Sequence, residues 1–244
     1  MGTYTLKIWN KINVFIKKYQ LINKKQKILL AVSGGPDSMA MLHYFDKVGK
    51  YNFAVFHLNH KIRKESDYDE KLVRDYCKKN SIEFASVKIN IPALLDKFND
   101  NLENLARKKR YEYFLKYAKE YKCSLVATAH NLDEHIETIL LNLIRGTNLK
   151  GLCGIPVKRK LSDKIYVVRP MMCLKKEEII NYLKENNIKY VVDRTNYDVS
   201  YTRNWIRLKI IPMIEEKQPN FGMHLIKISS DLEKLLKNKG SNLK

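Results

Sequence analysis

Two hydrophobic periods alternate along this chain. Ile28-Leu29-Leu30-Ala31-Val32 is an unbroken apolar run, the pattern of a strand buried on both faces. Phe53 to Leu58, Phe84 to Ile89 and Leu125 to Thr128 are short runs of the same kind. Between and before them, apolar residues spaced by three and four predict helices over 4–20, 67–79, 102–121 and 133–144. Strands that alternate with helices in this way define an α/β fold: a doubly wound, mostly parallel sheet with helices on both faces. Further on, the glycines between Gly146 and Gly154 read as a loop, and Tyr166 to Val168 as a short strand. A helix is expected over 175–186. Trp205, Leu208, Ile211 and Ile214 predict another, with Pro212 near its end, and a last one runs from Leu225 to Leu236. The expected organisation is one domain over 1–199 and a short helical C-terminal extension over 200–244, with the boundary near Asn196 to Ser200.

The first strand breaks on Ser33-Gly34-Gly35-Pro36-Asp37-Ser38. Two glycines permit φ > 0 and bare backbone N–H groups, and proline suits the first helical position. A strand that feeds a glycine turn at a helix start points free N–H groups and a positive dipole end at one place, a seat for an anion. Ser33 and Ser38 add hydroxyls, and Asp37 offers a carboxylate to Mg²⁺ beside a phosphate. The loop is neither a Walker A sequence nor G-x-G-x-x-G.

Composition narrows the partner. The 244 residues carry 46 Lys and Arg against 26 Asp and Glu, a net charge of +20, which calls for a polyanion, nucleic acid first. AT-rich coding explains lysine in place of arginine better than it explains the excess. No apolar run is long enough to span a bilayer, and the first twenty residues lack a secretory signal pattern. A cytoplasmic protein without a membrane partner is expected. Cys77, Cys123, Cys153 and Cys173 form no C-x-x-C pair and read as small apolar side chains.

Further polar groups fall where strands end, which is where ligands gather in such sheets. His57, Asn59, His60 and Arg63 follow the second strand, as a site or as an ordinary polar loop. Glu103, Arg107, Arg110 and Tyr111 share a helical face, where Glu103 and Arg107 also fit a simple surface pair. After the fourth strand come His130, Asp133 and Glu137, the two carboxylates one helical turn apart. They would complete a Mg²⁺ site between Asp37 and Asp133, or merely cap the helix. His130, His135 and Cys123 fit no usual zinc spacing.

The loop resembles the SGGxDS pyrophosphate loop of the N-type ATP pyrophosphatases, which cleave ATP between the α and β phosphates. The ordered set looks like a tRNA(Ile)-lysidine synthetase. It comprises the loop, His57-x-Asn59-His60-x-x-Arg63, Glu103-x-x-x-Arg107-x-x-Arg110-Tyr111 and Ala129-His130-x-x-Asp133-x-x-x-Glu137-Thr138. Arg145-Gly146 leading to Gly154-Ile155, Arg169-Pro170, Asp193-x-Thr195-Asn196 and Arg203-Asn204-x-x-Arg207 complete it. The resemblance covers residues 26 to 215 and implies an adenine nucleotide α-hydrolase-like fold. It implies ATP and Mg²⁺ as cofactors, with free L-lysine and a tRNA(Ile) bearing a CAU anticodon as partners. In that chemistry the C2 oxygen of the wobble cytidine is adenylated and the lysine ε-amine displaces AMP. The resemblance places Ser33 to Ser38, His57, Asn59, His60 and Arg63 at ATP. Asp37, His130, Asp133 and Glu137 fall to catalysis, the base among them left open. Glu103, Arg107, Arg110, Arg145, Arg169, Asp193, Asn196, Arg203 and Arg207 fall to the substrates. Oligomeric state is open, a homodimer being one expectation.

Two departures stand out. Asn131 occupies the place of a usual second histidine, and the chain stops at Lys244, short of the C-terminal domains many relatives carry, so tRNA grip is expected from elsewhere. Rival readings are a tRNA 2-thiolation enzyme, which shares the loop but commonly uses C-x-x-C pairs, a metabolic ligase of the NAD or GMP synthetase type, and a non-catalytic RNA-binding protein.

Overall fold

A computed structural model describes residues 2–61, 66–95 and 102–241, without the side chains of Glu103, Arg194 and residues 239–241. It forms two compact units, Met1–His130 with Val157–Val192, and Asn131–Pro156 with Asp193–Lys244.

The first unit holds a six-stranded sheet. Its strands are β1 (Lys27–Ala31), β2 (Asn52–Asn59), β3 (Phe84–Lys88), β4 (Leu125–Ala127), β5 (Lys158–Lys160) and β6 (Tyr166–Val168), in the order β3-β2-β1-β4-β6-β5. All pairs are parallel except β5 with β6. The apolar runs sit where both faces are covered: Ile28, Leu29 and Leu30 are fully buried. Alternate residues serve opposite faces. Leu30 and Val55 join a core with α1 (Thr3–Lys18), α2 (Pro36–Val48), α3 (Ser66–Lys79) and α8 (Lys176–Glu185). Leu29, Ala54 and Phe56 join a second core under α5 (Leu102–Glu120), where Phe56 stacks on Tyr117 at 4.4 Å between ring centroids. The short α4 (Ile91–Leu95) precedes α5. The strand order reverses between β2-β1 and β1-β4, which opens a crevice at their carboxyl ends.

The second unit is helical. It contains α6 (Leu132–Ile144), α7 (Leu149–Leu152), α9 (Thr202–Trp205), α10 (Ile211–Lys217) and α11 (Phe221–Ser241), with a 3₁₀ turn at Arg194–Tyr197 and a π-helical stretch at Ile206–Ile210. Ile136, Leu140 and Leu141 of α6 pack with Ile206, Phe221 and Leu225. The apolar face of α6 thus packs with the C-terminal helices within this unit. Two local expectations change. The glycine-rich stretch contains α7, started by Asn148, whose side chain accepts from Gly151 N. Pro212 lies near the start of α10 instead of ending a helix. Lacking an N–H and crowding the preceding turn, proline is accommodated by the π-helical stretch before it.

Candidate functional site

Ser33 to Ser38 join β1 to α2 at the mouth of the crevice. Gly34 has φ +90°, and a Cβ there would come 3.2 Å from the Asp69 carbonyl oxygen, so the position requires glycine both for its backbone conformation and for space. The serines shape the loop from within: Ser33 N donates to Ser38 Oγ (3.1 Å), and Ser38 Oγ donates to the Gly35 carbonyl (2.9 Å). Val191 N donates to the Gly34 carbonyl (3.0 Å), which ties the loop to the chain after α8. Gly35 is the N-cap of α2 with no side-chain cap, and Pro36 begins the helix. Its first-turn N–H groups keep the anion-directed arrangement the sequence implied. Asp37 lies in that first turn, its carboxylate 2.5 Å from Lys176 Nζ.

The end of β2, which includes His57 and Asn59, and the residue after it, His60, frame the same rim. His57 is buried and its Nδ1–H donates to the Val32 carbonyl (2.9 Å), while Nε2 has no hydrogen-bond partner among the described residues. Burial lowers its pKa. His60 falls to about 4, chiefly through burial, with the Arg110 charge adding to it. Both rings are therefore neutral at pH 7. Asn59 is a brace: its Nδ2 donates to Ser66 O (3.1 Å) and Asp67 Oδ1 (2.9 Å), and its Oδ1 accepts from Lys61 N (3.0 Å). Arg63 lies outside the described residues. On α5, Arg107 lies over the Tyr111 ring at 5.7 Å, and Arg159 of β5 over the same ring at 4.4 Å. Arg169, at the end of β6, is 2% exposed, and its pKa is lowered, mainly by burial. Glu103 and Arg110 are also on α5. His130 follows β4, its Nδ1 3.0 Å from the Thr128 hydroxyl.

In the second unit, α6 begins with a capping box. Asn131 Oδ1 accepts from Glu134 N (2.9 Å), and Glu134 Oε2 accepts from Asn131 N (3.4 Å). The residue that departs from the family pattern thus starts the helix. Asp133 lies in the first turn, half-buried. Glu137 is 1% exposed, and Arg207 grips both its oxygens, Nε to Oε1 at 2.6 Å and Nη2 to Oε2 at 2.8 Å. Arg203 Nη2 donates to Thr138 Oγ1 (2.9 Å). Both arginines, read from sequence as substrate contacts, are tied to α6. Asp193 accepts from Thr195 N (3.0 Å), and buried Asn204 donates to the Thr195 and Asp198 carbonyls (both 2.8 Å). Arg145 and Asn196 are exposed. Sequence reasoning missed Lys176 and the Arg159 contact, which belong to no local motif of chemistry, and read Asn204 within the Arg203-Asn204-x-x-Arg207 motif without its brace role.

A glycine turn between the first strand and a helix, at the switch point of a parallel sheet, defines a nucleotide-binding α/β protein. The family model described as the PP-loop domain matches residues 5–214. A tRNA(Ile)-lysidine synthase of Petrotoga mobilis is 40% identical over 215 residues, 86% of this chain and 67% of that protein. One of Clostridium tetani is 40% identical over 217 residues, 87% of this chain and 45% of that one. The chain belongs to the PP-loop family, among its tRNA(Ile)-lysidine synthases. It spans about two-thirds of the first relative's length and less than half of the second's. The fold also matches a U34-tRNA thiolase of Methanococcus maripaludis, solved with its 4Fe–4S cluster. The TM-score is 0.78 at 18% identity, covering 96% of this chain and 80% of that one. No helix among the described residues is long and apolar enough to cross a membrane.

Proposed function

We propose that the chain adenylates the C2 oxygen of the wobble cytidine in a tRNA(Ile) with a CAU anticodon, and that the ε-amine of free lysine then displaces AMP to give lysidine. The reading is carried by the Ser33–Ser38 loop, which joins β1 to α2 in a chain 40% identical to a tRNA(Ile)-lysidine synthase. The net charge of +20 supports an RNA substrate, and the reaction belongs to the cytosol.

A carbonyl oxygen leaves poorly until it is adenylated, so ATP is split to make it leave. The bond from O2 to Pα forms as the Pα–O–Pβ bond breaks, and the electron pair departs on pyrophosphate. The loop N–H groups and the α2 N-terminus stand ready for that charge. Mg²⁺ fits as a companion of ATP. Asp37, in the first turn of α2, would offer the ion a hard carboxylate oxygen beside the phosphates. When bound, the ion neutralises phosphate charge. The lysine amine must lose its proton to attack C2, and Asp133 or His130 accepts it. Glu137 is the third candidate for that role, and Arg207 holds both its oxygens.

The test incubates the 244-residue chain with ATP, labelled lysine and transcripts of tRNA(Ile) and tRNA(Met). ATP-dependent label on tRNA(Ile) is expected. Folded protein that releases no pyrophosphate and transfers no label overturns the reading.

A further inference from the structure

The ion pair between Asp37 and Lys176 joins two parts of the first unit that no motif connects. Lys176 Nζ lies 2.5 Å from Asp37 Oδ2, with side chains 44% and 20% exposed. Three observations make the lysine more than a local partner. It is the first residue of α8, and a helix N-terminus favours anions, so a cation there runs against its own helix. The negative charge that this helix start favours is already supplied, because Glu177 and Glu178 lie in its first turn and Lys175 N donates to Glu178 Oε2 at 3.0 Å. Asp37, in the first turn of α2, puts negative charge beside the anion seat formed by Gly34 and Gly35, where a polyphosphate would be repelled unless that charge were offset. An ammonium carries three donors, and the Lys176 side chain is 44% exposed.

We infer that Lys176 is a ligand of the ATP triphosphate, its ammonium bridging the Asp37 carboxylate and a non-bridging oxygen of the β or γ phosphate. The inference rests on the reading of the Ser33–Ser38 loop as the ATP site. It gives Lys176 a catalytic role. The electron pair released from the Pα–O–Pβ bond accumulates on pyrophosphate, and a fixed cation there stabilises the leaving group. A flexible ammonium suits this duty, since it meets phosphate oxygens as a point charge.

Calorimetric titration of ATP and of AMP into wild type, Lys176→Gln and Lys176→Arg tests it. Lys176→Gln should weaken ATP about ten- to a hundredfold, the range for one charge-assisted hydrogen bond, and leave AMP unchanged. Lys176→Arg should recover most of the loss. Unchanged ATP affinity, or equal losses for ATP and AMP, would place Lys176 in the framework of the loop alone and overturn the inference. A second arm uses the wild-type chain: acetic anhydride labelling, read by mass spectrometry, should show Lys176 protected by ATP and not by AMP. Equal labelling under both nucleotides refutes the contact. Wild type that binds neither nucleotide removes the loop reading itself, and the inference with it.

Discussion

Glu137 and Arg207 show how a distant partner adds to what a side chain does. From sequence, Glu137 is a candidate base and Arg207 a candidate contact to tRNA. Nothing local reveals that they meet, because 70 positions separate them. In the structure one guanidinium holds both oxygens of a nearly buried carboxylate, geometry that gives specificity as well as energy. Removing the arginine strands a buried charge. A fully buried pair loses about 3–5 kcal/mol when broken; Arg207 is 34% exposed, which lowers the expectation to about 2 kcal/mol. Urea denaturation of Arg207→Gln should show that loss, and Arg207→Lys only partial recovery, since an ammonium lacks the planar fork. A variant that keeps wild-type stability while losing tRNA affinity would return Arg207 to the RNA. Asp37, Ser33 and Ser38 were legible because the turn that unites them is contiguous in sequence. Lys176 was not, for it reaches Asp37 across 139 positions.

Elements were legible where burial is symmetric and lost where it is not. β1, β2 and β4 announce themselves as apolar runs, as strands covered on both faces do. β5 is Lys158-Arg159-Lys160 at the antiparallel edge, a charged three-residue strand that periodicity cannot see and that protects the sheet from further pairing. The loop over 146–154 hid α7, and its last glycine is set by packing. Gly154 has φ +64°, and a Cβ there would come 2.8 Å from His135 Cε1 and from Ile139 Cγ1. The ring cannot easily yield, since His135 Nδ1 accepts the Ile155 N–H at 3.0 Å. Gly154→Ala should therefore cost about 2–3 kcal/mol, combining a left-handed backbone with overpacking. Gly146 provides the control: its φ is +71°, with nothing within 4 Å of an added Cβ. Gly146→Ala should cost only about 1 kcal/mol for backbone alone. Equal unfolding midpoints for the two variants would mean that the His135 contact does not fix the turn.

At the scale of the molecule, burial is the chief cause of lowered pKa values at His43, His57 and His60 in the first unit and at His135 in the second. His43 and His60 fall to about 4, against about 6.5 in an unfolded chain. Between those values the unfolded state binds more protons, so stability rises with pH across the window and is lost as pH falls through it. The urea midpoint should be level above about pH 7 and decline from about 6.5 towards 4. Replacing His43 and His60 with glutamine should flatten the decline, and a midpoint that is level in wild type over that range would show that the rings are not held neutral. Fold-level likeness poses the last question, since the thiolase of similar fold was solved with an iron–sulfur cluster and a thiolating enzyme needs a sulfur carrier. Thiolate, not thiol, is the nucleophile and cluster ligand. Here burial raises all four thiols, Cys77 and Cys173 to about 12 and Cys123 to about 11, with Cys153 raised as well. Such groups stay protonated at neutral pH, and Cys77, Cys123 and Cys173 pack in the cores of the first unit. Replacing all four with alanine or serine should leave ATP-dependent lysine incorporation largely intact, at a cost of about 1 kcal/mol for each buried position. Mass analysis of the anticodon base decides the matter. Lysine mass on cytidine in the cysteine-free chain supports ligation, whereas exchange of sulfur for oxygen in wild type, or activity lost while the variant remains folded, would assign the chemistry to the thiols.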